Sequence, residues 1–95
     1  MSLQHQRPER YALVFMPAAA RQVRKLPRDA AERVKKATED LRDDPRPAGV
    51  VKLAGTEDLW RIRVGDYRVI YQIADGVLVV TVVHVGHRRE VYRQL

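Results

Sequence analysis

The 95-residue chain contains no cysteine, which excludes a disulfide scaffold, a thiol nucleophile and a cysteine-ligated zinc site. Serine occurs only at Ser2, so a serine-based triad is excluded as well. HExxH, paired carboxylate motifs, His-rich clusters and glycine-rich phosphate loops are all missing. No metal and no other cofactor is therefore expected. No apolar run approaches the ~18–20 residues of a membrane helix, and no signal-peptide core precedes residue 20. A cytoplasmic protein with no membrane partner is the expectation.

Acidic residues are also in short supply, 12 against 18 Lys and Arg, for a formal charge of +6. Fourteen of the basic residues are arginine, and only Lys25, Lys35, Lys36 and Lys52 are lysine. The excess favours polyanionic partners: nucleic acid, a ribosome or an acidic protein. The length suits one domain. So short a chain buries little more than ~60% of its unfolded surface, so a partner can add to its stability.

Residues 1–10 are polar and aperiodic and read as a mobile arm, leaving a single domain over 11–95. Tyr11–Met16 is a short apolar run with the composition of a strand. Pro17 suits a first helical turn, and the spacing predicts a helix from Ala18 to Leu26. Pro27 breaks it. From Arg28 to about Arg42, Ala30, Val34, Ala37 and Leu41 form a second helical stripe. Residues 43–49, with Pro45, Pro47 and Gly49, are a stop and loop.

The period then changes from helical spacing to strict alternation. Trp60–Val64 reads as a strand, Gly65-Asp66 as a turn, Tyr67–Ile73 as a second strand, Asp75-Gly76 as a hairpin turn and Val77–Val85 as a third strand. Val77–Val85 is apolar on both faces for most of its length, so it should be central or covered on both sides. The expected fold class is α+β: an N-terminal strand, a two-helix hairpin, then a three-stranded antiparallel meander with a short tail and the helices on one face.

Alternation puts Trp60, Ile62 and Val64 on one side of their strand and Arg61 and Arg63 on the other. With the apolar set facing the helices, two guanidinium groups stand on the open face. Arg68 follows the turn and can reach the same region. His87, Arg88, Arg89 and Tyr92 come after the third strand, and this segment can fold back over the open face; Lys52 can flank it. Convergent guanidinium groups suit a phosphodiester, which arginine binds bidentately and whose developing charge it stabilises. Histidine or tyrosine can move protons, and an aromatic ring can stack on a base. Alternating arginines also occur on simply solvated strand faces, and Tyr67, Tyr71 and Trp60 read as core. A nuclease built this way works without metal and cuts RNA through the 2′-hydroxyl.

The runs Lys52-Leu-x-Gly55, Leu59-Trp-Arg-Ile-Arg-Val64-Gly-Asp-Tyr-Arg-Val-Ile-Tyr71-Gln-Ile73 and Val85-Gly-His-Arg-Arg-Glu-Val-Tyr92 resemble the RelE/ParE superfamily of bacterial toxins, RelE-like branch. The resemblance extends from about Tyr11 to Tyr92. It implies a RelE-like, microbial RNase-type fold and metal-independent mRNA cleavage in the ribosomal A site. By resemblance the site comprises Arg61, Arg63, Arg68, Arg88 (or Arg89) and Tyr92. Arg68 and Arg88 would hold the scissile phosphate, Tyr92 would orient the base at the cut, and Lys52 and Arg89 would add RNA contacts. Well-known members carry lysines where this chain has Arg61 and Arg63. Arginine, with a pKa above ~12, is a poor proton carrier. His87 matches a C-terminal histidine used for proton transfer in other branches, and an imidazole with its ordinary pKa of ~6.5 suits that task. The implied partners are the ribosome with its mRNA and a RelB-like antitoxin that wraps the toxin with helical segments. Through that antitoxin the complex would bind operator DNA. The alternatives are a ParE-like inhibitor of DNA gyrase and a degenerate toxin kept only to bind its antitoxin.

Overall fold

The computed structural model describes residues 9–55 and 58–89. Most of the expected N-terminal arm, residues 1–8, lies outside the described residues, as does Tyr92. Seven elements follow in order: β1 (Ala12–Phe15), α1 (Pro17–Arg24), α2 (Arg28–Asp40), β2 (Val51–Lys52), β3 (Leu59–Val64), β4 (Tyr67–Ala74) and β5 (Val79–His87). The strands form one sheet in the order β1-β5-β4-β3-β2, with β1 parallel to β5 and every other pairing antiparallel. The α+β class and the meander β3-β4-β5 match the expectation. The added strand, β2, is two residues long, too short for any alternation to show in the sequence.

Local chemistry explains the boundaries. Pro17 opens α1, where its missing N–H costs nothing. The helix closes before Pro27 through tight bonds from Lys25 N–H to Gln22 O (3.2 Å) and Leu26 N–H to Val23 O (3.1 Å). In α2 the buried positions are Ala30, Val34 and Thr38, followed by Leu41. Thr38, in phase with Ala30 and Val34, is more deeply buried than Ala37, and its hydroxyl tolerates this by donating within the helix, shared between the carbonyls of Val34 and Lys35, both at 2.9 Å. The β4–β5 connection is a four-residue turn over 75–78, with Leu78 at φ 57°, so β5 begins two residues later than its apolar run.

The helices cover one sheet face. Ala19 and Val23 of α1, and Val34 and Leu41 from α2 and its end, pack against Ile62, Val69, Tyr71, Ile73, Val80, Val82 and Val85. Tyr71 is fully buried and donates its hydroxyl to Pro45 O at 2.7 Å, and burial pushes the pKa of that hydroxyl up. A register shift between Ile70 and Tyr71 leaves Val83 as an extra residue in β5: Tyr71 faces Val82, while Ile70 faces His84. Strict alternation after Val80 and Val82 would send His84 and Gly86 inward. The bulge sends Val85 inward instead, opposite Val69. β1 ends at Phe15, and past it Gln22 of α1 takes over the edge of β5. Its Oε1 accepts Val85 N–H at 2.7 Å, and its Nε2 lies 3.2 Å from His84 Nδ1.

A polar strap fixes the loop after α2. Arg46 donates from Nη1 and Nη2 to the two oxygens of Asp75 (3.2 and 2.9 Å), and Tyr11 donates its hydroxyl to Asp75 Oδ1 at 2.7 Å. Arg46 also lies over the indole of Trp60, 5.0 Å from its centroid. Behind it, Arg42 Nε donates to Tyr11 O (2.8 Å) and Tyr11 N–H to Arg42 O (2.9 Å). The Arg46 contact first, then the Tyr11 hydroxyl, pulls Asp75 down from 3.8 to about 2.

Two outcomes follow from this packing. Leu41→Ala should cost ~2–5 kcal/mol in urea denaturation, against ~1 kcal/mol for Tyr71→Phe. Because the pKa of Asp75 is depressed in the folded state, its stabilising effect is present above about pH 4 and is lost as pH falls from about 4 to about 2. The melting temperature should drop across that window, and less steeply in Asp75→Asn; equal slopes in the two proteins would refute the strap.

Candidate functional site

The site begins with strand register. Arg63 of β3 stands directly opposite Arg68 of β4, and Arg61 stands opposite Ile70, two positions further along. Ile62, paired with Val69, faces the helices, so Arg61, Arg63 and Arg68 share the face they leave open. Like charges placed directly opposite across an antiparallel pair repel, and diagonal neighbours lie within ~7–8 Å. An anion between them removes that repulsion.

Burial sharpens the arrangement. Arg63 is exposed, whereas Arg61 and Arg68 are half-buried with their Nε atoms shielded from solvent. Arg61 Nε has no hydrogen-bond partner among the described residues. A desolvated donor without an acceptor is costly, of order 1–3 kcal/mol, and is ready for one brought by a ligand. Ile70 has no exposed surface yet lies outside the helix-side cluster, with Arg61 across from it and Arg68 two residues before it. Such a buried residue gives the guanidinium stems an apolar floor. Gly86, also buried, is the β5 partner of Arg68 and brings no side chain to crowd it.

Arg88 follows β5. Its N–H donates to Asp66 O at 2.8 Å, and its Nε lies 3.8 Å from Asp66 Oδ1. That anchors it beside the β3–β4 turn, near Arg63 and Arg68. Both partners are more than half exposed, so the ion pair is weak and a phosphate can displace it. Asp66 thus does more than turn the chain. Arg89 is exposed, and its N–H donates to His87 Nδ1 at 3.2 Å.

Two expected members stand elsewhere. His87 pairs with Tyr67, and their rings meet edge to face at 5.7 Å. Tyr67 packs on the helix-side core, so His87 lies across the sheet from Arg61, Arg63 and Arg68, not among them. The bulge at Val83 is the reason, because it exchanges the faces of everything after it in β5. Lys52 likewise pairs with Trp60, its ammonium 5.8 Å from the indole centroid, on Trp60's side. A cavity of about 600 Å³ borders Arg61 and Arg63 but is also lined by Asp40 and Asp44, which repel phosphate. The arginines converge on the open face.

A small helix-backed α+β sheet with arginines gathered on its bare side is the class of protein that the fold and the site define. A family model described as "ParE toxin of type II toxin-antitoxin system, parDE" matches residues 13–92. The chain is 35% identical over 88 residues to mRNA interferase toxin RelE of Escherichia coli strain K12, covering 88% of this chain and 92% of that one. It is 36% identical to Toxin RelG of Mycobacterium tuberculosis, covering 88% and 98%. Among solved structures, a chain of an archaeal RelE–RelB complex from Pyrococcus horikoshii OT3 superposes with a TM-score of 0.75 at 29% identity, covering 85% of this chain and 98% of that one. The chain belongs to the RelE/ParE superfamily of type II toxin–antitoxin toxins, within its RelE-like branch.

Since Arg61 Nε is shielded from solvent with no hydrogen-bond partner among the described residues, Arg61→Met should leave the denaturation midpoint unchanged or raise stability by up to ~1 kcal/mol. A loss above ~1 kcal/mol would show that the guanidinium serves the fold and not a ligand.

Proposed function

We propose that this protein is the toxin of a type II toxin–antitoxin system and acts as a metal-independent, ribosome-dependent mRNA endoribonuclease in the cytoplasm. The observation that carries the reading is the facing pair Arg63 and Arg68, with Arg61 beside them, on the open sheet face. The names of the relatives point the same way.

In the proposed reaction the ribose 2′-oxygen attacks the adjacent phosphorus. The bond to the 5′-oxygen of the next nucleotide breaks, leaving a 2′,3′-cyclic phosphate. Charge builds on the non-bridging oxygens, where Arg61, Arg68 and Arg88 act as fixed donors. Arg63 holds the neighbouring backbone, and Tyr92 orients the base at the cut. Arg89 extends contact to a flanking nucleotide, whereas Lys52, beside Trp60 on the helix side, would reach RNA only where the strand wraps around the sheet edge. Proton transfer falls to His87 or Tyr92, since arginine holds its proton too firmly. For His87 this requires its segment to swing toward the open face when RNA and ribosome bind.

A RelB-like antitoxin is the proposed inhibitor, supported by the RelE–RelB architecture of the structural relative. Operator binding by the pair would run through the antitoxin. The ParE-like alternative, gyrase inhibition without RNA chemistry, fits less well because the curated relatives that match are RelE-type toxins.

Purified protein added to translating ribosomes should cut mRNA at A-site codons. Arg61→Ala, Arg68→Ala and Tyr92→Ala should each slow cleavage by ~10²–10³-fold, the usual loss when one transition-state donor is removed. Intact mRNA together with inhibited gyrase supercoiling would move the protein to the ParE-like reading.

A further inference from the structure

The bulge that sends His87 across the sheet brings another histidine onto the open face. His84 stands opposite Ile70, and Ile70 opposite Arg61, so these three form one row across β5, β4 and β3. The next row is Gly86, Arg68 and Arg63. Residues directly opposite one another share a sheet face, so His84 belongs to the face that bears the arginines. Strict alternation after Val80 and Val82 would have turned it toward the helices. His84 is half-buried and diagonal to Arg68, a separation of ~7–8 Å that a phosphate group can bridge.

The imidazole is held from α1. Val85 N–H can only donate, so the Gln22 atom 2.7 Å from it is the amide oxygen. The Gln22 amide nitrogen therefore faces His84 Nδ1, at 3.2 Å, and that nitrogen has only hydrogens to offer. Nδ1 accepts, and the neutral ring carries its proton on Nε2. With one lone pair taken by Gln22 and the other nitrogen bearing hydrogen, the ring is a fixed donor. The ordinary explanation for such a pair is a polar seal over the edge of β5 where β1 has ended. Gln22 makes that seal alone through Val85 N–H, so sealing does not account for the histidine.

We propose that His84 is a catalytic residue of the open face, donating from Nε2–H to a non-bridging oxygen of the bound RNA phosphodiester. Gln22 is its positioning residue. No proton leaves the ring. The hydrogen bond strengthens as charge builds on the oxygen, beside the guanidinium groups of Arg61 and Arg68. The inference rests on the open face receiving the RNA backbone, as in the function proposed above, and leaves proton transfer to other groups.

Two measurements on the full chain test this. Long-range 1H–15N NMR spectra are recorded with and without a large excess of a 2′-O-methylated RNA oligonucleotide, which cannot be cleaved. His84 should show hydrogen on Nε2 and none on Nδ1, the Nε2 resonance should move with RNA, and Gln22→Ala should mix the two tautomers. Cleavage on translating ribosomes then compares His84→Ala with His84→Gln, whose amide NH2 can stand where Nε2–H stood. The alanine variant should lose ~10²-fold in kcat, and the glutamine variant should stay within ~10-fold of wild type. Thermal melts confirm that the variants fold. Hydrogen on Nδ1, an Nε2 resonance unmoved by RNA, or wild-type cleavage by the alanine variant would each overturn the proposal. So would a glutamine variant as slow as alanine, because that pattern belongs to a proton carrier. Wild type whose His84 responds to RNA but which cuts no mRNA would sink the cleavage reading alone and leave His84 as an RNA contact.

Discussion

The extra residue at Val83 sets the chemistry of both sheet faces. Because side chains alternate, one inserted residue exchanges inside for outside along the rest of β5. Before it, Val80 and Val82 line the core; after it, Val85 does. Without the bulge, a histidine would have been buried against the helices and Val85 exposed. With it, the apolar core continues to the end of the strand, and Gly86 comes to lie beside Arg68. The same shift carries His87 to Tyr67's side. Core continuity and site composition are thus two consequences of one irregularity in the ladder. Gln22 supports it from α1 by accepting the N–H of Val85 where β1 has run out.

A second constraint acts at the opposite end of the sheet. The core is thin, and the long connection from α2 to β3 has few apolar residues of its own. Arg46 solves this by binding Asp75 with both terminal nitrogens while lying over Trp60, with Tyr11 completing the acceptor set. Each contact is partly exposed and weak taken singly. Their geometry ties together β1, the loop and the β4–β5 turn, three segments far apart in sequence. This holds the loop over the edge of β3, the strand that carries Arg61 and Arg63.

The two faces of the sheet follow opposite rules. On the helix side, polar groups that enter the core are satisfied, as with Thr38 and Tyr71. On the open side, arginines face one another across strands, and a shielded guanidinium nitrogen lacks an acceptor. A protein tolerates such repulsion and desolvation where a ligand relieves them. That tension is what the proposed reading of the arginine-rich face as a phosphate site rests on.

Much of this was written in local pattern. The alternation Trp60-Arg61-Ile62-Arg63-Val64 separates apolar from basic whatever the fold, so one face bearing Arg61 and Arg63 follows from the chain alone. Pro17, Pro27, Asp75 and Gly76 mark element ends through backbone chemistry that needs no tertiary context. Other features depend on pairing. Whether Arg68 faces Arg63, and which way His87 points, are matters of register, and a bulge in a strand apolar on both faces leaves no mark in its sequence. Asp75 looked like a turn residue because its partners, Arg46 and Tyr11, come from 29 and 64 positions away. The sequence by itself determined the elements, the two-faced strand and the charge. Only the tertiary structure decided which charges meet, because long-range contacts arise from packing and not from spacing.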